Sequence, residues 1–287
     1  HGLDVLQVDQ IALVAAGEMV LCQLLFGAGE AGPDRKLPFC SVIPEQPVTG
    51  LQIIDVVGGE HLHSAACQLQ KRLGLREDTI CFDLNAACAG FLYGTKTAHA
   101  LLADAPRPYA IVVGAEVISR VLDHTDRNTC VLFGDGAGAA VLARDDSARW
   151  HTVFGSRGDE QSIWVQGPGP EKAAVHMEGK AVFRFATEVV EGSIRQLVSA
   201  EGCDVNDLDL VVCHQANARI IDFVAKRLKA REGLFYKNME RYGNSSAASI
   251  PMALDELVEQ GLLKPGMRVL TVGFGGGLTW AGALFTW

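Results

Sequence analysis

Twice along its 287 residues the chain runs through one order of segments: apolar strand, reactive side chain at a helix opening, then strand, glycines and strand. In the first pass an apolar run near 79–84 leads to Cys88, and Gly134-Asp135-Gly136 stands between Val131-Leu132-Phe133 and Ala139-Ala140-Val141-Leu142. In the second, 208–213 leads to His214, and the glycines of 273–277 stand between 269–272 and 278–285. Short, continuously apolar runs such as Ile111-Val112-Val113 suit a parallel strand covered on both faces. Their alternation with helical stretches at 64–74, 88–103 and 181–200, and another opening near Asn217, predicts an α/β protein. The repeat favours two similar halves that meet at one site, divided into 1–149 and 150–287 just past Arg144-Asp145-Asp146.

Composition narrows the classes. A net charge of -9 argues against general affinity for nucleic acid. Charge or glycine interrupts every apolar stretch short of the ~18 residues a membrane span needs. The nearest, 11–29, carries Glu18 and Gln23, so 9–27 is expected to form an amphipathic helix and 51–57 a strand. No basic segment followed by an apolar one marks a leader, so a cytoplasmic protein without membrane contact is expected. The eight cysteines form no CxxC pair, and seven are expected to be small buried hydrophobes in a reducing compartment. His61 and His63 have strand-like spacing but no companion ligands, so they are read as surface residues and no metal site is expected.

Three side chains carry chemistry. Cys88 precedes the small residues Ala89, Gly90, Gly94 and Ala98 at a helix opening, where free N–H groups and the macrodipole favour a thiolate. His214 ends an apolar strand, and Asn244 lies in the loop Tyr242-Gly243-Asn244-Ser245-Ser246-Ala247. Singly, these are a packed thiol, a structural imidazole and a turn residue. Together they supply a nucleophile, a base or donor, and a second donor. A papain-like protease uses the same residue types, but its Cys sits in a Cys-Gly-x-Cys-Trp setting that Ala86-Ala87-Cys88-Ala89-Gly90-Phe91 does not match. Gly134-Asp135-Gly136-Ala137-Gly138 leads into a strand, whereas a nucleotide-binding glycine loop needs a following helix.

Seven segments, in order, resemble β-ketoacyl-acyl-carrier-protein synthase III, a thiolase-like condensing enzyme. They are Ser64-Ala65-Ala66-Cys67-Gln68, the Cys88 segment, Thr125-Asp126-Arg127, Phe133-Gly134-Asp135-Gly136-Ala137-Gly138-Ala139, His214-Gln215-Ala216-Asn217, Gly243-Asn244-Ser245-Ser246-Ala247-Ala248-Ser249 and Phe274-Gly275-Gly276-Gly277-Leu278-Thr279-Trp280. The likeness covers 64–148 and 208–287. It does not extend to the first ~50 residues, which begin at His1 and lack the family's Trp- and Arg-containing CoA segment. Either a start further upstream or a divergent N-terminal segment accounts for that.

The resemblance implies a five-layer αβαβα fold of two similar halves, and a homodimer. It implies that Cys88 takes an acyl group from acyl-CoA, with Cys88 and Gly276 N–H groups as oxyanion hole. His214 and Asn244 would then stabilise the enolate formed when malonyl-acyl-carrier protein loses CO₂. Arg127, Gly179, Phe183, Asn217 and Phe274 would contact CoA or substrate, and Leu62 would reach the partner's acyl pocket. The helix after His214 carries Arg219, Lys226, Arg227, Lys229 and Arg231 against the single acid Asp222, and its Arg219, Lys226 and Arg227 are expected to dock the acidic carrier protein. No cofactor is implied, since CoA enters as the thioester substrate. Rival readings are simple acyl transfer from Cys88 to an alcohol, amine or carrier thiol, and a non-catalytic carrier-binding subunit.

Overall fold

The structure, a computed structural model, describes the backbone of residues 50–54 and the whole of 64–103, 105, 109–145, 149–165 and 174–287. The expected helix over 9–27, most of the strand over 51–57, and Cys22, Cys40, His61, Leu62 and His63 lie outside the fully described residues.

Strands β1 (Gly50–Ile54), β2 (Ile80–Leu84), β3 (Tyr109–Glu116) and β4 (Gly136–Ala143) form one sheet in the order β2-β1-β3-β4. Strand β1 pairs in parallel with β2 and β3, and β4 runs antiparallel to β3. A second sheet has the order β5-β10-β9-β8, from β5 (Trp150–Ser156), β8 (Leu210–Cys213), β9 (Arg268–Gly275) and β10 (Thr279–Thr286). There β8 and β9 are parallel and the other pairs antiparallel. A small ribbon joins β6 (Ile163–Val165) to β7 (Val175–Met177).

Side-chain alternation on the strands sorts the helices into layers. Val112 and Ala140 from the first sheet, and Val212, Val269 and Ala283 from the second, face a central layer. That layer holds α2 (Gly90–Leu102) and α6 (Ser249–Glu259) through Leu92, Leu102, Leu254 and Leu257. The opposite face of the first sheet, Ile111, Val113 and Val141, packs on α1 (Ala65–Arg72) through Leu69. Val211, Leu270 and Leu284 on the far face of the second sheet meet α3 (Gly179–Glu201) and α4 (Ala218–Arg227) through Ile194 and Ile221. The order α1, sheet, α2 with α6, sheet, α3 with α4 is the expected five-layer arrangement.

Three sequence expectations need correction. Val131-Leu132-Phe133 is no strand beside β4; Val131 and Leu132 lie in turns, Phe133 makes an isolated bridge to Asn244, and β4 pairs with β3 instead. The physical cause is Asp126, whose carboxylate accepts from the Asn128 N–H at 3.0 Å and the Thr129 hydroxyl at 2.9 Å, winding the chain into turns. Cys88 does not open the α-helix; it sits in a 3₁₀ turn, Ala87–Ala89, and α2 begins at Gly90. Of the cysteines expected to be buried hydrophobes, Cys213 alone is buried among the described residues; Cys81, Cys130 and Cys203 are half-buried, and Cys67 is exposed because on α1 it shares the solvent face with Lys71 while Ala66 and Leu69 point inward.

Candidate active site

The Cys88 turn, which follows β2 of the first sheet, is received by glycines of the second sheet, and the turn after Asn244 by glycines of the first. A Cβ at Gly275 on β9 would stand 2.6 Å from the Cys88 nitrogen, and one at Gly273 would stand 3.3 Å from the Cys88 oxygen. In the other direction, a Cβ at Gly114 on β3 would stand 2.7 Å from the Ala247 carbonyl and one at Gly138 on β4 would stand 2.8 Å from the Met252 nitrogen. Real Cβ atoms essentially never come within 3.0 Å of backbone and seldom within 3.4 Å, so these sheets accept the opposing turns, and the start of α6 at Met252, only where side chains are absent.

Strain marks both turns. Ala87, immediately before Cys88, has φ 47°, and Ser246, two residues after Asn244, has φ 50°. Each costs of order 1 kcal/mol and persists because the surrounding packing over-determines it. Nothing in the sequence distinguishes these two small residues from ordinary ones.

Asn244 is fixed from three sides. Its N–H donates to the Leu132 carbonyl at 2.8 Å, and its carbonyl accepts from the Gly134 N–H at 3.0 Å. A Cβ on Gly134 would overlap the Tyr242 carbonyl oxygen. The Asn244 side-chain oxygen accepts from the Ser246 N–H at 2.9 Å, which orients the amide with its NH₂ as the remaining donor. Behind the loop, Gln215 accepts from the Asn238 N–H at 2.9 Å while its NH₂ donates to the Cys213 carbonyl at 2.7 Å. Asn238 and Arg241 in turn bind Glu256 on α6, tying α5 (Met239–Tyr242) to the central layer.

His214 is 1% exposed. Its backbone N–H donates to the Val272 carbonyl at 2.7 Å, its Nδ1 lies 2.7 Å from the Ser249 hydroxyl, and the Phe274 ring stands edge-to-face at 5.2 Å. Burial pushes its pKa down to about 3, so the imidazole is neutral at ordinary pH. Neutral imidazole still carries one N–H and can donate a hydrogen bond without carrying charge.

Cys88, His214 and Asn244 line one cavity of about 810 Å³, together with Gly179, Phe183, Asn217 and Phe274. Arg127 is exposed and does not line it, although its neighbours Asp126 and Asn128 do. Gly275 rather than Gly276 lines the cavity. The Asn217 side-chain oxygen is engaged in capping α4, accepting from the Arg219 N–H at 2.9 Å, which leaves its NH₂ as the group that can face a ligand. Arg219, Lys226 and Arg227 are exposed on α4, but Arg227 pairs with Glu191 at 3.0 Å. Lys229 and Arg231 do not belong to the helix as expected, because α4 ends at Arg227 and the chain turns away through Lys229 at φ 53°; Arg231 is turned to the Leu208 and Asp209 carbonyls, so two of the five cations are engaged locally.

Sequence reasoning did not single out Trp164 and His176, which stack across β6 and β7 at 4.1 Å and line the rim. They are twelve residues apart with no shared motif, so only the ribbon pairing reveals them. Ser249 stood inside a recognised segment, but its role follows from the distance to His214 alone.

Among the described residues no group of His, Cys, Asp and Glu could hold a metal, and no helix is long and apolar enough to cross a membrane.

Comparison with known proteins places these features in context. Residues 82–158 match the family 3-oxoacyl-[acyl-carrier-protein] synthase III, and 198–287 match its C-terminal part. The chain is 40% identical over 236 residues to β-ketoacyl-[acyl-carrier-protein] synthase III of Clostridium acetobutylicum, covering 78% of this chain and 72% of that protein. Among solved structures, the synthase III of Thermus thermophilus superposes with a TM-score of 0.77 at 36% identity, over 84% of this chain and 77% of that one. The priming β-ketosynthase of the R1128 polyketide pathway gives 0.77 at 34% identity, over 83% and 75%.

Proposed function

The chain belongs to the 3-oxoacyl-[acyl-carrier-protein] synthase III family of condensing enzymes, and from that premise we propose the course of its reaction and the residues that carry it. The family's reaction is a condensation that starts fatty-acid or polyketide synthesis, and the proposal concerns the acyl-Cys chemistry on this chain. The Cys88 sulfur attacks the acyl-CoA thioester carbonyl, the bond to the CoA sulfur breaks, and the Cys88 proton ends on the departing CoA thiol. Backbone N–H groups of Cys88 and Gly276 are assigned to the oxyanion of that step. Malonyl-acyl-carrier protein then loses CO₂, and the electrons of the broken C–C bond form an enolate whose oxygen accepts from His214 and Asn244. The enolate carbon attacks the acyl-Cys88 carbonyl, and the Cys88 sulfur leaves as a thiolate that takes up a proton from solvent to restore the thiol.

The observation that carries this reading is the convergence of Cys88, His214 and Asn244 on one cavity, with the imidazole neutral and the Asn244 NH₂ free to donate. Simple transfer from Cys88 would have no use for a second donor of that kind. Gly179, Phe183, Asn217 and Phe274 are assigned to the pantetheine path, Arg127 to the CoA nucleotide outside the cavity, and Arg219 and Lys226 to carrier docking. We assign the division into 1–149 and 150–287, a cytoplasmic setting and a homodimer to the same reading. The edge position of β2 in its sheet supports the last by leaving a strand for pairing.

Intact-protein mass spectrometry tests the proposal after incubation with acetyl-, butyryl- and octanoyl-CoA and then malonyl-acyl-carrier protein, with Cys88→Ala as control. Adducts that need Cys88 and discharge as a 3-ketoacyl product are expected. Adducts that never condense would point to acyl transfer, and no adduct from any donor would favour the carrier-binding subunit.

A further inference from the structure

We infer that Ser249 is a positioning residue that holds His214 in the tautomer protonated on Nε2, so that the imidazole meets the substrate as a donor. The inference rests on the reading of His214 as a donor to the enolate oxygen.

Ser249 is 2% exposed and does not line the cavity, so its hydroxyl proton must find its acceptor within the protein. The Ser249 oxygen lies 2.7 Å from His214 Nδ1 and accepts from the Gln215 N–H at 3.3 Å. A hydroxyl has one proton to donate and two lone pairs. If Ser249 donates to Nδ1, the hydroxyl proton, the Gln215 N–H and the Nδ1 lone pair are all satisfied, and the single imidazole proton sits on Nε2. If Nδ1 carries the proton instead, the Ser249 oxygen accepts twice. Its own proton then has no acceptor among the described residues. A buried donor left in that state costs roughly 1–3 kcal/mol, which sets the tautomer ratio at about 5- to 150-fold.

Backbone order maintains the geometry. His214 and Gln215 follow β8 directly, His214 is held by Val272 on β9, and Ser249 is the first residue of α6. The hydroxyl therefore bridges the second sheet and the central helix layer, and it presents the imidazole from behind while Asn244 presents its NH₂ from the adjoining loop.

The test is ¹⁵N–¹H spectroscopy of histidine-labelled protein, with the His214 resonances assigned by their loss in His214→Asn, alongside separate rates of Cys88 acylation and malonyl decarboxylation. Wild-type protein is expected to show Nε2 protonated and Nδ1 accepting a hydrogen bond. In Ser249→Ala the hydrogen-bonded Nδ1 signature should vanish and decarboxylation fall roughly 10- to 100-fold, by analogy with other residues that orient a histidine. Cys88 acylation should stay within about twofold, and Ser249→Thr, which keeps the hydroxyl, should recover both readouts. A wild-type His214 protonated on Nδ1 would overturn the inference, as would a Ser249→Ala protein with unchanged decarboxylation. Should Ser249→Ala fail to fold, the wild-type tautomer still decides the matter. Should the wild type form no acyl adduct, the proposed function fails while the tautomer measurement continues to judge Ser249.

Discussion

Because burial depresses the His214 pKa from its usual value near 6.5 to about 3, His214 couples folding to pH in a definite direction. Between those values the unfolded chain binds a proton there and the native chain does not. Its contribution to stability is therefore complete above about pH 6.5 and lost as pH falls towards 3, with a slope of about 1.4 kcal/mol per pH unit. Urea unfolding at pH 7.5, 6 and 5 should show this decline, and His214→Gln should remove that component of the slope. Catalysis divides differently between residues. Cys88→Ala should abolish the acyl adduct and lower turnover by about 10⁴-fold or more. Asn244→Ala should leave acylation intact and slow decarboxylation roughly 10²- to 10³-fold, as loss of one oxyanion donor does. Separate mass-spectrometric timing of the two half-reactions checks both outcomes.

Elements meet here through glycines, and the consequences differ sharply between neighbours. A methyl at Gly275 would press on the Cys88 nitrogen, whereas one at Gly276 has its nearest neighbour at 3.6 Å, the Ile163 oxygen. Gly275→Ala should therefore cost about 1–3 kcal/mol and displace the Cys88 turn, with Cys88 acylation falling accordingly. Gly276→Ala keeps its N–H and should fold with stability within about 1 kcal/mol of wild type. Thermal unfolding and the acylation rate of the two variants, measured side by side, distinguish them. Strand positions 80–84 and 210–213, the long helix α3 and the opening of α4 were legible from apolar runs and the Asn217 cap. The turns at 131–132 and the bridge from Phe133 to Asn244 were not, since these apolar residues mimic a continuous strand and only the carboxylate of Asp126 shows why the chain curls.

For the molecule as a whole, the proposed docking of an acidic carrier protein on a chain of net charge -9 relies on the local run of cations on α4. Arg219→Glu or Lys226→Glu should raise KM for malonyl-acyl-carrier protein about 5-fold each with little change in kcat, and the difference should shrink at high salt. Arg227→Ala should act less on KM, because this cation already pairs with Glu191, and should cost under about 1 kcal/mol in stability. Initial rates at 50 and 500 mM salt decide both. From the sequence alone came the alternation of strands and helices, because apolar runs are local properties of the chain, and the seven segments whose resemblance to the family implied the layered fold and the roles proposed for Cys88, His214 and Asn244. Tertiary structure alone decided that Gly273 and Gly275 receive the Cys88 turn, that Gly114 and Gly138 receive the other, and that Ser249 backs His214. Those relations join residues tens to more than a hundred positions apart, where burial and backbone approach, rather than local propensity, determine what each side chain can do.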